Sequence, residues 1–375
     1  VHRGKIERVT ADPGPLTASE MLLEADESVW DKLFEPDPPA MFHDIFACIA
    51  RGTMRFEGDV RVLIRHMQPL ADWVQVARAM RGERTLGADV APLESYQAKG
   101  GFVNVNLDGA LYKVFYFEAG EGIPVLLQHT AGNENRQWRH LLEDRELTKR
   151  FRFIAYDLPG HGKSDPPRGP AFWQEDQLVR SEWLTDFVVA FSEAMSVENP
   201  IFMGTSIGGV LALHLAERFP EKFRGIVGMA GAIPTQGFFH DWWIHPEINT
   251  PMMVGAITDS VMAPATPEWD RRLTSWFQSA NPRNIRNDLY FWGVENADPT
   301  RADRIDASKV PLYLYAGEYD YTCPPELVEA CARRIGPEVT YETLRGLGHF
   351  PMSEDYSIFR PIAVRTLEEI VTRTS

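Results

Sequence analysis

Cysteine is scarce in this chain, with three residues in 375, at positions 48, 323 and 331. No two of them form C-x-x-C, and no histidines join them at zinc-ligand spacing. A disulfide framework and a structural zinc site are therefore not expected, and a reducing compartment is. Basic clusters are also missing. Lys and Arg number 38 against 53 Asp and Glu, for a formal net charge of −15. Without a basic patch, neither nucleic acid nor an anionic membrane surface is expected as a partner, and the acidity reads as a solubility feature. No apolar run approaches the roughly 18 residues that a bilayer span requires. Residues 1–30 hold several acids and no apolar stretch, so no signal peptide is expected there. Together these absences point to a cytoplasmic location. Internal repeats and low-complexity tracts are not seen either.

What is present has three textures. Residues 1–95 mix short strand-like and helix-like pieces and read as an α+β extension. Residues 96–231 alternate apolar runs with helical patterns. GFVNVNL and LYKVFYFE are joined by Asp108-Gly109, a strong hairpin signal. Then follow PVLLQ, a helix near 134–149, RFIAY, a helix near 179–196, PIFM, a helix from 206, and GIVGMA. That alternation predicts an α/β fold, a mostly parallel sheet covered by helices on both faces. Over 232–308 the alternation lapses into an aromatic-rich stretch that reads as a helical insertion. PLYLYAG and EVTYETL then resume the sheet, with helices near 324–335 and 358–371.

The chemistry concentrates at G-T-S-I-G-G, residues 204–209, where PIFM turns into VLALHLAERF. A serine at a strand-to-helix turn between glycines fits a nucleophile elbow, a strained turn that exposes Oγ at the sheet top. A serine hydroxyl needs a base, and the base needs an orienting acid. Both follow in chain order. Asp320 ends the strand YLYAG, and His349 follows the last strand in T-L-R-G-L-G-H-F. Ser206 is then the expected nucleophile, His349 the general base and acid, and Asp320 its orienting carboxylate. Glu318, in the same loop as Asp320, is the rival acid. The oxyanion hole is expected from the backbone N–H of Ile207, after the serine, and from H-T-A-G at 129–132, where Ala131 is the first candidate and Thr130 the second.

These motifs, with Y-D-L-P-G-H-G-K-S at 156–164 and G-E-Y-D, resemble the α/β-hydrolase superfamily, and within it esterases, lactonases and carbon–carbon bond hydrolases with a helical lid. The resemblance covers about 97–375. It implies that Asp157, His161 and Gly162 form a structural turn. Members usually carry His-Gly at the oxyanion loop, where this chain has Thr130. A serine nucleophile disfavours epoxide hydrolases and haloalkane dehalogenases, which use aspartate.

Trp242, Trp243, His240, Trp276 and Arg136 are the expected substrate contacts, with His245 a further candidate. Asn133, Asn135 and Gln137 read as capping or solvated residues, with substrate contact as the competing reading. Within 1–95, a strand, short helices, a hairpin-like piece at F-E-G-D and an apolar-striped helix resemble part of a sterol-carrier-like module. The other reading of this segment is a packing or dimer-forming element, so a homodimer is one expectation. The expected function is hydrolysis of a moderately hydrophobic ester, lactone or thioester through an acyl-enzyme, with no cofactor or metal implied and a small molecule as the partner. Carbon–carbon hydrolysis of a vinylogous β-diketone by the same residues is the alternative, and a hydrolase-fold binding protein with little turnover is the third reading.

Overall fold

The computed structural model describes residues 21–89, 96–166, 178–280 and 282–374. The signal-peptide reading of the chain start therefore falls mostly outside the described residues. Two sheets are present among them. The small one pairs β1 (Met21–Ala25) with β2 (Met54–Gly58), antiparallel. The large one holds β3 (Lys99–Leu107), β4 (Ala110–Ala119), β5 (Ile123–Gln128), β6 (Phe151–Tyr156), β7 (Ile201–Thr205), β8 (Gly225–Met229), β9 (Leu312–Gly317) and β10 (Thr340–Leu344). Its order is β10-β9-β8-β7-β5-β6-β4-β3, and only β4 runs against the rest. The α/β class expected from the alternation is what the chain forms.

The sheet is apolar on both faces because helices cover both. Along β9, Leu312, Leu314 and Ala316 pack to one side and Tyr313 and Tyr315 to the other. The first side meets helices Ser181–Ala194 and Ile207–Arg218, through Phe187, Phe191 and Leu211. The second meets helix Tyr356–Arg373, through Phe359, Leu367 and Ile370. Burial of this kind contributes about 25 cal/mol per Å² of apolar surface, so most of the fold's stability lies in these two layers. The β3–β4 hairpin closes at Asp108 and Gly109 with φ of 50° and 75°, the left-handed pair that a tight primed turn requires.

Two local expectations need correction. The helix near 134–149 is broken into Asn135–Trp138, Arg139–Leu142 and Leu147–Lys149. Asp144 is the cause. Its Oδ1 accepts the N–H groups of Glu146 and Leu147, both at 3.0 Å, which starts a new turn instead of continuing the old one. The F-E-G-D stretch is not a hairpin. Phe56–Gly58 ends β2, and Asp59 caps helix Val60–Arg65 by accepting the Arg61 N–H at 2.8 Å.

The connection from β8 to β9 carries helices Thr250–Ser260, Glu268–Ser279 and Pro282–Gly293. The front segment has its own small core of Val29, Leu33, Ile45, Cys48, Met54 and Val74. It docks on this helical insert. His43 Nε2 lies 2.9 Å from Ser260 O, and Gly87 N–H donates to Ala265 O at 2.6 Å.

Candidate active site

Ser206 sits where β7 ends and helix Ile207–Arg218 begins, with φ 60° and ψ −118°. A non-glycine residue in that region carries a cost of about 1–3 kcal/mol, so the surroundings must hold it there. They do so by close approach. A Cβ on Gly204 would stand 2.5 Å from Gly208 O, and one on Gly208 would stand 2.9 Å from Gln128 Cγ. The glycines let strand and helix backbones touch, and that contact forces the serine outward.

Asp320 follows β9 and His349 follows β10, so all three residues stand beyond C-terminal strand ends of one parallel sheet. His349 Nδ1 is 2.7 Å from Asp320 Oδ2. Asp320 is fully buried. Burial opposes its charge, but His349, Thr322 and the Cys323 N–H outweigh burial and hold the carboxyl below its ordinary range. An ionised carboxylate on Nδ1 keeps the proton there and leaves Nε2 able to accept one. Glu318 does not reach this pair. Its Oε2 accepts the Gly346 N–H at 2.9 Å, which braces the loop leading to His349.

Ser206 and His349 line one cavity, together with Thr130 and Ala131. The loop at 130–133 shows which N–H is left for a ligand. Thr130 N–H donates to Gln137 Oε1 at 2.9 Å, Gly132 N–H to Asp288 Oδ2 at 2.7 Å, and Asn133 N–H to Thr130 O at 3.2 Å. Among the described residues, the Ala131 N–H has no acceptor. Ile207 opens its helix, so its N–H has no intrahelical acceptor either. Thr130, the second candidate donor, is corrected by this geometry. Its N–H is occupied, and its hydroxyl bonds Gln137 Nε2 at 3.0 Å and Gln278 Oε1 at 3.2 Å.

Of the expected substrate contacts, Trp243 lines the cavity, with its Nε1–H held by Phe238 O at 2.6 Å. Four others do not line it. Trp242 packs against the core edge and the His240 ring, and His240 is exposed. Trp276 is 65% exposed. Arg136 is paired with Glu134 and lies over the Phe277 ring at 4.3 Å. His245 also points elsewhere, its Nδ1 accepting the Glu247 N–H. Asn133, Asn135 and Gln137 act as braces. Asn133 bonds Gln278, the Asn135 N–H donates to Asp157, and Gln137 holds Thr130.

The insert residues that line the cavity without having been expected as substrate contacts include Phe238, Val254, Ile257, Ile285, Leu289 and Trp292, with Thr258 and Gln278 the polar ones among them. Trp292 meets the His349 ring edge-on, with centroids 6.3 Å apart. Asp157 takes the N–H groups of Asn135 and Lys163, and burial pushes its carboxyl up to about 7. A Cβ on Gly162 would meet Asp157 Oδ2 at 2.2 Å, so this is a tightly closed turn. Among the described residues, no cluster of His, Cys, Asp or Glu could hold a metal, and no helix is long and apolar enough to cross a membrane.

Residues 123–356 match the model of the alpha/beta hydrolase fold family. A 2-hydroxymuconate semialdehyde hydrolase of Pseudomonas sp. (strain CF600) is 34% identical over 135 residues, 35% of this chain and 45% of that protein. The chain thus spans about half the length of the curated relatives it matches. An esterase from Thermogutta terrifontis superposes with a TM-score of 0.59 at 19% identity, covering 72% of this chain and 99% of that one. The enol-lactonase from Burkholderia xenovorans LB400 superposes with a TM-score of 0.56 at 19% identity, over the same shares of the two chains.

Proposed function

This chain belongs to the alpha/beta hydrolase family, and from that premise we propose that it is a serine hydrolase of neutral, moderately hydrophobic esters or lactones. In this reading Ser206 Oγ attacks the substrate carbonyl while His349 Nε2 takes its proton. Asp320 keeps the imidazole in the required tautomer and stabilises the imidazolium. The N–H groups of Ile207 and Ala131 receive the developing oxyanion. His349 returns the proton to the leaving oxygen, and an acyl group remains on Ser206. Water, deprotonated by the same histidine, then releases the acid. The helical insert serves as the lid.

One observation carries the substrate class. Among the described residues lining the cavity there is no Lys or Arg, and most are apolar. A substrate carboxylate buried there would lack a counter-charge, which is costly. A neutral acyl chain suits the lining, and thioesters of neutral acids fit the same chemistry. The competing reading is carbon–carbon bond hydrolysis, which the semialdehyde hydrolase relative favours. The same serine, histidine and oxyanion donors would serve it, but a muconate-type substrate brings a carboxylate. A panel of neutral p-nitrophenyl esters beside a ring-cleavage dienoate separates the two. Faster turnover of the dienoate would reverse the assignment. A fluorophosphonate probe tests the serine itself, and absence of label on Ser206 in active protein would remove the mechanism.

A further inference from the structure

The loop that carries Ala131 is held mainly by the helical insert. Gln278, on helix Glu268–Ser279, donates from Nε2 to Ala131 O. Its Oε1 accepts from Asn133 Nδ2 and from the Thr130 hydroxyl, the latter at 3.2 Å. Asp288, on helix Pro282–Gly293, accepts the Gly132 N–H at 2.7 Å through Oδ2. The same oxygen lies 2.9 Å from His161 Nε2. Ile285 lies against Gly132, where a Cβ would stand 2.0 Å from Ile285 Cγ1. Every residue from 130 to 133 is therefore gripped by a side chain of the insert.

Asp288 is fully buried, and its Oδ1 has no partner among the described residues. A buried carboxylate with one oxygen unsatisfied carries a desolvation cost. Asp288 does not line the cavity, so substrate binding does not account for it. What it does is fix the Gly132 peptide, the neighbour of the one loop N–H left unoccupied.

We propose that Asp288 and Gln278 are positioning residues that hold loop 130–133 in the shape presenting the Ala131 N–H, so that the oxyanion hole is complete only while the insert is docked. This rests on the serine-hydrolase reading above. Closing the insert and completing the hole become one event. An undocked insert would leave Ser206 and the Ile207 N–H in place but would lose the second oxyanion donor.

The test compares wild type, Asp288→Ala, Asp288→Asn and Gln278→Met in the full chain. Three readings are taken: kcat and KM on a neutral p-nitrophenyl ester, affinity for a trifluoromethyl ketone that forms a tetrahedral adduct with serine, and thermal midpoint. Asp288→Ala is expected to lower kcat by about 10- to 100-fold with KM nearly unchanged, and to weaken the ketone by a similar factor. Asp288→Asn keeps an acceptor for the Gly132 N–H and is expected to recover most of that loss. Gln278→Met keeps volume and is expected to weaken the ketone more than the substrate. A folded Asp288→Ala protein with kcat and ketone affinity within about two-fold of wild type overturns the proposal. If Asp288→Ala does not fold, unchanged ketone affinity in Gln278→Met overturns it. Wild type that neither turns over esters nor takes fluorophosphonate on Ser206 sinks the hydrolase reading instead, and the proposal with it.

Discussion

Asp320 Oδ2 lies 2.7 Å from His349 Nδ1, while Asp320 Oδ1 receives the Thr322 N–H, the Thr322 hydroxyl and the Cys323 N–H. Three donors on Oδ1 thus pin the carboxylate in the orientation that points Oδ2 at the imidazole. Asp320→Asn removes the charge and can turn its NH2 toward Nδ1, which favours the wrong tautomer. A kcat loss of about 10³- to 10⁴-fold is expected with little change in KM. Because the folded carboxyl is held below its ordinary range, its stabilising contribution is present above the unfolded value and fades as pH falls through the folded one. Asp320→Asn should therefore flatten the acid side of the stability profile. Steady-state kinetics and denaturant melts across acid pH check both statements, and a ten-fold effect or less on kcat would contradict the role.

Glu354 brackets His349 in a way that suggests a second dependence. Its oxygens accept the N–H groups of Gly348 at 2.7 Å, Phe350 at 2.8 Å and Ala263 at 2.9 Å. Both neighbours of His349 and the turn after helix Thr250–Ser260 hang on one fully buried side chain. Burial raises its proton affinity, and the three N–H groups and Arg271 work against that. Glu354→Gln replaces one acceptor by a donor facing N–H groups. A stability loss of about 1–3 kcal/mol is expected from the unsatisfied groups. A kcat loss near ten-fold should accompany it, since His349 is no longer fixed. Unaltered kcat in a destabilised variant would confine Glu354 to a structural part.

The sheet and its connections were legible because their signals are local. Asp108-Gly109 must take left-handed turn geometry, and β-branched or aromatic runs of strand length recur between helical patterns. Ser206, Asp320 and His349 could be picked out because parallel strands of one sheet end on the same side, so chain order and strand ends suffice to bring them near one another. The cavity lining was not legible in the same way. Trp242 and Trp243 are adjacent, yet one turns to the core edge and the other to the cavity, which only the packing of the insert decides. Trp276 and Gln278 share a helix, and the polar residue of the two faces the site while the aromatic faces water. Aromatic content marked the right segment but not the right face. The role of Thr130 was hidden for another reason. Its N–H is taken by Gln137, seven residues on, through a side-chain bond that spacing does not reveal.

Gly204 tests whether the elbow is held by backbone contact. A methyl group there meets Gly208 O at 2.5 Å and Gly208 C at 2.6 Å, and neither is free to move without shifting the helix start. Gly204→Ala is expected to cost about 1–3 kcal/mol through overpacking. The displaced helix also moves the Ile207 N–H, so kcat should fall in whatever fraction folds. Gly255 is the control, because it lies inside helix Thr250–Ser260 and its Cβ position meets only Ser279 Oγ at 3.4 Å, an ordinary contact. Gly255→Ala is expected to be neutral or slightly stabilising, and equal damage from Gly204→Ala and Gly255→Ala would remove the close-approach argument.

Two buried histidines should contribute to how the fold responds to acid. His43 ties the front segment to the insert through Ser260 O, and His214 ties helix Ile207–Arg218 to the insert through Asn296 Oδ1 at 3.0 Å. Burial, helped by Arg78 and Arg271, pulls His43 down to about 3, and burial with Arg301 does the same to His214. Each has a buried Nδ1 with no partner among the described residues, so a proton there would be an unsatisfied donor. The folded chain therefore binds fewer protons than the unfolded chain below the ordinary histidine value. Stability is full above about pH 6.5 and is lost as pH falls toward 3, at up to about 1.4 kcal/mol per pH unit per histidine. Between pH 7 and pH 5 that amounts to about 2 kcal/mol for each. His43→Gln and His214→Gln lose the titrating group and keep a side-chain donor. Each variant should lie below wild type in urea melts at pH 7, with the gap narrowing by about 2 kcal/mol at pH 5. The two sites touch different elements, so the narrowing should add in the double variant. Gaps that stay parallel across this range would show that neither histidine remains neutral in the folded protein.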